Sequence, residues 1–398
     1  MDTGLDRLAS DAHVAKHVRG TKLALLAHPA SVTRDLVHAV EILIGVGGKP
    51  SVIFGPEHGY GGEAQDMIGI TDARDRRGIP VRSLYGETFA ACSPSDDDLA
   101  DVDLLVIDLQ DVGARYYTFV WTAVLALRTC ARLNKRVIVL DRPNPIGCAL
   151  SSVEGHKQRP EFRSLVGLEA IPIRHALTLG DLVAWRAAEE GLAAEQLRVV
   201  SVRGIDRTEH APMWDRPFIL PSPNMPTYRT ALVYPGGCLV EGTNLSEGRG
   251  TTRPFELLGA PWIDGAKLAH DFHALNLAGV RVRPAAFRPT FQKHAGETCG
   301  GVQVHVTDPL SFRPVAAYLA LITLAYKQQP EKFRFRTERY EFIDDIPAFD
   351  LLTGDGEARA LIATGASPAQ VADSVSAVSD YDLAAVRAAR EAGKKHAI

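Results

Sequence analysis

Glu241, Glu247 and Arg249 stand close together in the stretch from Cys238 to Arg253, among Asn244, several hydroxyl residues and the glycines at 242, 248 and 250. Almost nothing from Glu241 onward can fill a core. Long polar side chains between residues that permit close backbone approach suggest a loop shaped around a polar ligand. The plainer reading is a solvated loop with turn glycines. Further carboxylates recur along the chain, at Glu57, Asp108, Asp111, Asp141, Glu154 and Glu256. Paired carboxyl groups among Asn, Gln, Arg and Tyr suit glycoside hydrolysis. One protonates the leaving oxygen, and the other is a nucleophile or activates water. Arginine is the natural bidentate partner of a carboxylate, so an acidic sugar fits these residue types. No serine sits in a GxSxG elbow, no HExxH or other tight ligand spacing occurs, and neither GxGxxG nor GxxxxGK[ST] is present. A metal held by His58, His175 and an Asp has no specific spacing behind it. The expectation is chemistry without cofactor or metal.

The elements that must position these groups can be read from apolar runs. Lys22–Ala27, Ser51–Phe54, Val81–Leu84, Leu104–Ile107 and Arg136–Leu140 read as strands. Thr33–Ile44, Thr118–Leu133 and Asp181–Glu190 read as helices. Strands apolar on both faces, alternating with helices, predict an α/β domain with a mostly parallel sheet. Each polar cluster follows a strand: His28 and Ser31; Glu57 and His58; Asp108, Gln110, Asp111 and Arg115; Asp141, Arg142 and Asn144. In an open α/β sheet that is the edge where ligands bind, although a single Asp there can equally cap a helix. Glu154 lies in a turn context, Ser152-Val-Glu-Gly155. His175 closes a short apolar run and is as well explained by a structural role as by a ligand. The three prolines of Leu220–Thr227 predict a rigid extended segment presenting Ser222 and Asn224. Beyond it, Gly279–Phe291 and Gly301–Thr307 read as strands. Pro314–Leu324, a segment capped by Ser367, and Leu383–Ala392 read as helices. Residues 1–230 are expected to form a Rossmann-like domain and 231–398 a smaller α+β domain covering one side of the crevice.

At 398 residues, 46% apolar and with a net charge of −4, the chain has ample core and no basic footprint for nucleic acid. The five cysteines are scattered and unpaired in sequence, which argues against a disulfide scaffold. No basic region followed by an apolar run opens the chain, and no apolar stretch is long enough for a membrane span. A soluble, reduced, cytoplasmic protein is expected.

Several longer motifs resemble one family. They are Phe54-Gly-Pro-Glu-His-Gly59, Ser83-Leu-Tyr-Gly86, Asp108-Leu-Gln-Asp-Val-Gly-Ala-Arg-Tyr-Tyr-Thr118 and Leu140-Asp-Arg-Pro-Asn-Pro-Ile-Gly147. Pro172-Ile-Arg-His175, Pro221-Ser-Pro-Asn-Met-Pro226, Glu241-Gly-Thr-Asn-Leu-Ser-Glu-Gly-Arg-Gly-Thr251 and Pro254-Phe-Glu256 continue the series. In these the chain resembles the NamZ-type exo-β-N-acetylmuramidases, which are glycoside hydrolases. The resemblance implies a Rossmann-like domain, a smaller second domain and a site in the cleft between them. It also implies release of terminal β-1,4-linked N-acetylmuramic acid from the non-reducing end of peptidoglycan fragments. Its catalytic glutamate falls on Glu57. Glu154 is the first choice for the second carboxylate and Glu241 the next. Arg115, Arg142 or Arg249 is expected to meet the lactyl carboxylate. His58, Asp108, Gln110, Tyr116, Asn144, His175, Asn224 and Asn244 complete the expected substrate contacts. Two positions depart from the pattern: Ala176 stands where Gly is expected, which could narrow the cleft floor, and Asp181 where Glu is usual. A metal-dependent hydrolase of another amino-sugar bond and a catalytically silent sugar-binding protein are the alternatives.

Overall fold

The structure, a computed structural model, describes residues 1–65, 67–69 and 73–398. Its larger sheet contains β1 (Lys22–Ala27), β2 (Lys49–Gly55), β3 (Ala73–Arg74), β4 (Pro80–Ser83), β5 (Leu104–Asp108), β6 (Arg136–Leu140) and β7 (Leu197–Val200), in the order β3-β4-β2-β1-β5-β6-β7. All pairings are parallel except that of β3 with β4. Side chains alternate between two faces, as the strand period requires. Leu23, Leu25, Leu104, Val106, Ile138 and Leu140 pack with the helices Gly4–Ser10 and Ala39–Gly45. Ala24, Leu26, Leu105, Ile107, Val137 and Val139 face the helices Phe119–Arg132 and Leu179–Ala187. Order along the sheet reverses between β1 and β5, the place where a doubly wound sheet opens a crevice.

The expected strands are present. The helix expected over Thr33–Ile44 begins only at Ala39. His38 takes the cap instead, its ring accepting from the Val40 N–H, and Leu36 before it is in the left-handed region at φ 62°. The strand expected over Gly279–Phe291 ends at Phe287.

A second sheet is antiparallel, with β8 (Leu257–Ala260), β9 (Val280–Phe287) and β10 (Cys299–Val306) in the order β8-β10-β9. Its inner face, including Leu258, Val282, Val302 and Val304, joins the same apolar cluster as the larger sheet. The helix Tyr228–Gly237 spans the expected domain junction and packs on the helix Pro314–Gln328. A Cβ at Gly236 would lie 2.0 Å from the Pro314 carbonyl oxygen, so the two helices meet this closely only because that position is glycine. Ser367 caps the helix Pro368–Ser376 as expected. The final helix, Asp380–His396, packs back onto Leu179–Ala187 beside the larger sheet.

Ala176 explains its departure from the family pattern. It is fully buried, holds φ 53°, and its carbonyl accepts from Arg390 Nη2 at 2.8 Å. It lies away from the cleft lining, so the substitution acts on backbone strain and not on the cleft floor. A left-handed alanine costs about 1–2 kcal/mol. Ala176→Gly should therefore raise the urea midpoint, by about 1 kcal/mol of stability; a lowered midpoint would refute the account.

Candidate active site

β2 ends at Gly55, and Pro56-Glu57-His58-Gly59 turns sharply back, with His58 at φ 69° and Gly59 at φ 80°. A side chain at Gly55 would run into the Tyr60 backbone nitrogen at 2.3 Å, which is how tight the turn is. The turn carries Glu57 to the start of the helix Phe119–Arg132. There the hydroxyl of Thr118, the residue at the helix cap, donates to Glu57 Oε2 at 2.7 Å, and the Met67 N–H donates to Oε1 at 3.0 Å. His58 Nδ1 pairs with the Ala64 carbonyl at 2.9 Å, which holds the loop after the turn.

The facing wall comes from the second half of the chain. The helix Tyr228–Gly237 runs into a tight turn, Cys238–Gly242, that delivers Glu241. Arg249 Nη2 donates to Glu241 Oε1 at 2.6 Å, and its Nε lies 3.3 Å from Glu247 Oε1. Lys293 Nζ is 2.9 Å from Glu247 Oε2, and Tyr340 donates to Glu241 Oε2 at 2.9 Å. The guanidinium also lies 5.0 Å from the centre of the Phe255 ring. Beside this group sits a third carboxylate, Glu341, which accepts from the Tyr85 hydroxyl at 3.1 Å. Glu341 and Phe342 both hold left-handed backbone, φ 46° and 70°. Phe342 packs on Tyr85 and Phe89, which maintains the strained turn.

Between the walls lies a narrow cleft lined by Glu57, Glu241, Glu341, Arg249, Asn224 and several tyrosines. Its enclosed volume is about 40 Å³, room for water and not for a sugar ring, so any sugar must also use the openings at its ends. Burial pushes the hydroxyls of Tyr117, Tyr234 and Tyr340 well above the ordinary phenol range, which keeps them neutral. Asn224 Nδ2 donates to Gln65 Oε1 at 2.7 Å at one end.

Residues 23–229 match the family described as exo-beta-N-acetylmuramidase NamZ, N-terminal, and residues 232–382 match its C-terminal counterpart. The chain is 40% identical over 377 residues to the peptidoglycan beta-N-acetylmuramidase NamZ of Bacillus subtilis (strain 168), covering 94% of this chain and 87% of that one. The chain belongs to the NamZ family of exo-β-N-acetylmuramidases. Two crystal structures of DUF1343 family proteins from Bacteroides fragilis share the fold. One has TM-score 0.84 and 29% identity, covering 99% of this chain and 98% of that one. The other has TM-score 0.72 and 25% identity, covering 98% of each.

Of the NamZ-family residues anticipated from the sequence, the structure brings Glu57, His58, Tyr116, Asn224, Glu241 and Arg249 to the cleft. The others lie outside its lining, and their side chains are bonded within the protein, with Asn244 at the opening past Met67. Arg142 is spent on Asp108, with Nε and Nη2 at 2.5 and 2.9 Å from its oxygens. Arg115 donates to the carbonyls of His156, Ile171 and Leu352, and burial pushes it down to about 10. Gln110 donates to the Asp111 and Pro143 carbonyls, and Asn144 to Leu177. His175 is fully buried and accepts from the Leu177 N–H. Asn244 pairs with the backbone of Lys332 and Arg334. Of the three arginines proposed for a substrate carboxylate, only Arg249 lines the cleft.

Glu154 also lies elsewhere. Its Oε1 accepts from the Ala316 N–H at 2.8 Å, at the start of the helix Pro314–Gln328, and the residue is 2% exposed. It is a buried helix anchor. Glu341, Thr118 and Tyr340 take places the sequence did not mark. Glu341 sits among other acidic and aromatic residues with no glycine or strand end to single it out.

Burial pushes the Glu154 carboxyl up to about 7 from 4.5, opposed by the Ala316 N–H and by the charge of Arg174. Folded protein therefore keeps a proton between these values that unfolded protein releases, and this contribution to stability is full below 4.5 and lost as pH rises through about 7. Asp141, likewise raised to about 7 by burial, adds to the same slope in parent and variant alike. Glu154→Gln should flatten the fall of Tm across that window and keep catalytic activity within about twofold, since it retains the acceptor for Ala316. Loss of activity with unchanged Tm would return Glu154 to the catalytic set.

Proposed function

We propose that this chain releases terminal β-1,4-linked N-acetylmuramic acid from the non-reducing end of peptidoglycan fragments, with Glu57 as the proton donor to the leaving oxygen. The observation that carries this reading is the placing of Glu57. A hydroxyl and a backbone amide fix both its oxygens at the mouth of a cleft whose opposite wall bears two more carboxylates and an arginine. Glycoside hydrolysis needs a second carboxyl group on the attacking side. Glu241 is committed to Arg249 and Tyr340. Glu341, held by Tyr85 on strained backbone on the wall facing Glu57, is the better partner, and it assists attack at the anomeric carbon. Arg249 meets the lactyl carboxylate, the group that separates muramic acid from glucosamine. Among the described residues no helix is long and apolar enough to cross a membrane.

The test is hydrolysis of a chromogenic β-N-acetylmuramide beside the matching β-N-acetylglucosaminide. The muramide alone should be cleaved. Glu57→Gln and Glu341→Gln should each lower kcat by about 10²–10⁴ with little change in KM. Parent-like kcat in Glu341→Gln would move the second role to another carboxylate, and parent-like kcat in Glu57→Gln would remove the acid. In a third variant, Arg249→Lys, kcat/KM for the muramide should fall by about tenfold or more, because an ammonium cannot hold Glu241 and Glu247 and also present a further N–H to the substrate carboxylate. An unchanged value would clear Arg249 of that role.

A further inference from the structure

The cleft opens at its Asn224 end into a groove that its catalytic groups do not use. This groove has a volume of about 980 Å³ and is lined by Thr251, Thr252, Arg253, Arg283, Arg288 and Phe291, with Asn224 common to groove and cleft. It runs over the outer face of the three-stranded sheet. There Leu257, Phe287 and Cys299 form a small apolar cluster of their own, apart from the main core. The loop that lines the cleft with Glu241 and Arg249 continues directly into the groove wall. That wall is fixed by Thr290, whose N–H and hydroxyl both donate to the Gly250 carbonyl, at 3.0 and 2.9 Å. Cleft and groove thus share one rigid wall.

The charge of the groove is unbalanced. Arg283 Nη2 donates to the neutral Gln303 at 2.6 Å, Arg253 stands a loose 3.7 Å from Glu256, and Arg288 makes no ion pair among the described residues. Exposed arginines above hydroxyls and a half-buried ring suit a polar, anionic chain. The opening at the other end of the cleft, past Met67, is smaller, about 580 Å³. Its lysine is already taken up: Lys293 Nζ bonds the Val240, Glu241 and Leu245 carbonyls and Glu247.

We propose that the groove over the outer face of the antiparallel sheet holds the leaving glycan, the part of the chain on the reducing side of the scissile bond, and that Arg283 and Arg288 meet the carboxylates of its muramic acid units. The proposal rests on the muramidase reading. It makes the enzyme one that takes the terminal unit from a longer anionic glycan and not only from a disaccharide.

The experiment compares three substrates: the chromogenic muramide, a disaccharide with muramic acid at the non-reducing end, and a tetrasaccharide of alternating muramic acid and glucosamine units. Parent kcat/KM should rise with chain length. In Arg283→Ala/Arg288→Ala the tetrasaccharide should lose about tenfold, chiefly through KM, while the chromogen stays within about twofold. Both side chains are exposed, and an unchanged Tm checks the fold. A parent protein that cleaves the chromogen with no gain from chain length overturns the groove alone. So does an equal loss on all three substrates, no loss on any, or transfer of the chain-length effect to Arg334→Ala in the opposite opening. A parent protein that cleaves none of them overturns the muramidase reading and the groove with it.

Discussion

Asp108 and Arg142 meet at the carboxyl edge of the larger sheet, at the ends of β5 and β6, with neither side chain open to solvent. The pair is bidentate, and Arg142 Nη2 also donates to the Val32 carbonyl at 3.1 Å. Removing either member would strand a buried charge, at a cost of about 3–5 kcal/mol. Next to it His28 is fully buried. Burial, followed by the charge of Arg142, holds it well below its usual range, so the ring is neutral. Its Nε2 accepts from the Gln110 N–H at 2.9 Å, which leaves Nδ1 to donate to the Pro221 carbonyl at 3.2 Å. Together these groups fill the switch-point crevice that other doubly wound sheets leave for a ligand. They also anchor Pro221–Pro226, so that Asn224 and Ser222 reach the cleft. The site is displaced accordingly, from the switch point to the end of β2 and the facing half of the chain.

That displacement sorts the carboxylates by their partners. Glu241 and Glu247 share Arg249 and Lys293, and this cluster is close to neutral while it fixes the loop. Such pairs gain little net stability from burial but lose much if broken, which suits them to hold a wall in place. Glu57 instead takes hydrogen bonds from a hydroxyl and an amide, which orient it without any charged partner of its own among the described residues. The neutral tyrosines of the same cleft add no second charge to the wall around it.

Much of the fold was legible because its signals are local. Apolar runs such as residues 104–107 and 137–140 can be read from composition, and Ser367-Pro368 from capping chemistry. The position of Glu57 was legible for the same reason: a carboxylate flanked by glycines directly after a strand has few structural uses. The convergence of strand-end polar groups was real, but residue type does not say which of them satisfy one another. Arg115, Arg142 and Arg249 look equivalent in sequence. Only packing reveals that the first is consumed by three carbonyls and the second by Asp108.

Glu154 and Glu341 show the limit most sharply. Glu154 follows a strand-end cluster in sequence and precedes a glycine, which marks it for a site. Yet the N–H it binds belongs to Ala316, 162 residues further along the sequence in the helix Pro314–Gln328. A helix start leaves unpaired N–H groups, and a buried carboxyl group that accepts one of them is doing what a cap does. Glu341 carries no such local mark, because its place depends on Tyr85 and Phe89 from the first half of the chain packing against Phe342. Its left-handed backbone is tolerated only because those contacts hold it. Tertiary packing therefore assigns the one glutamate to the scaffold and the other to the cleft.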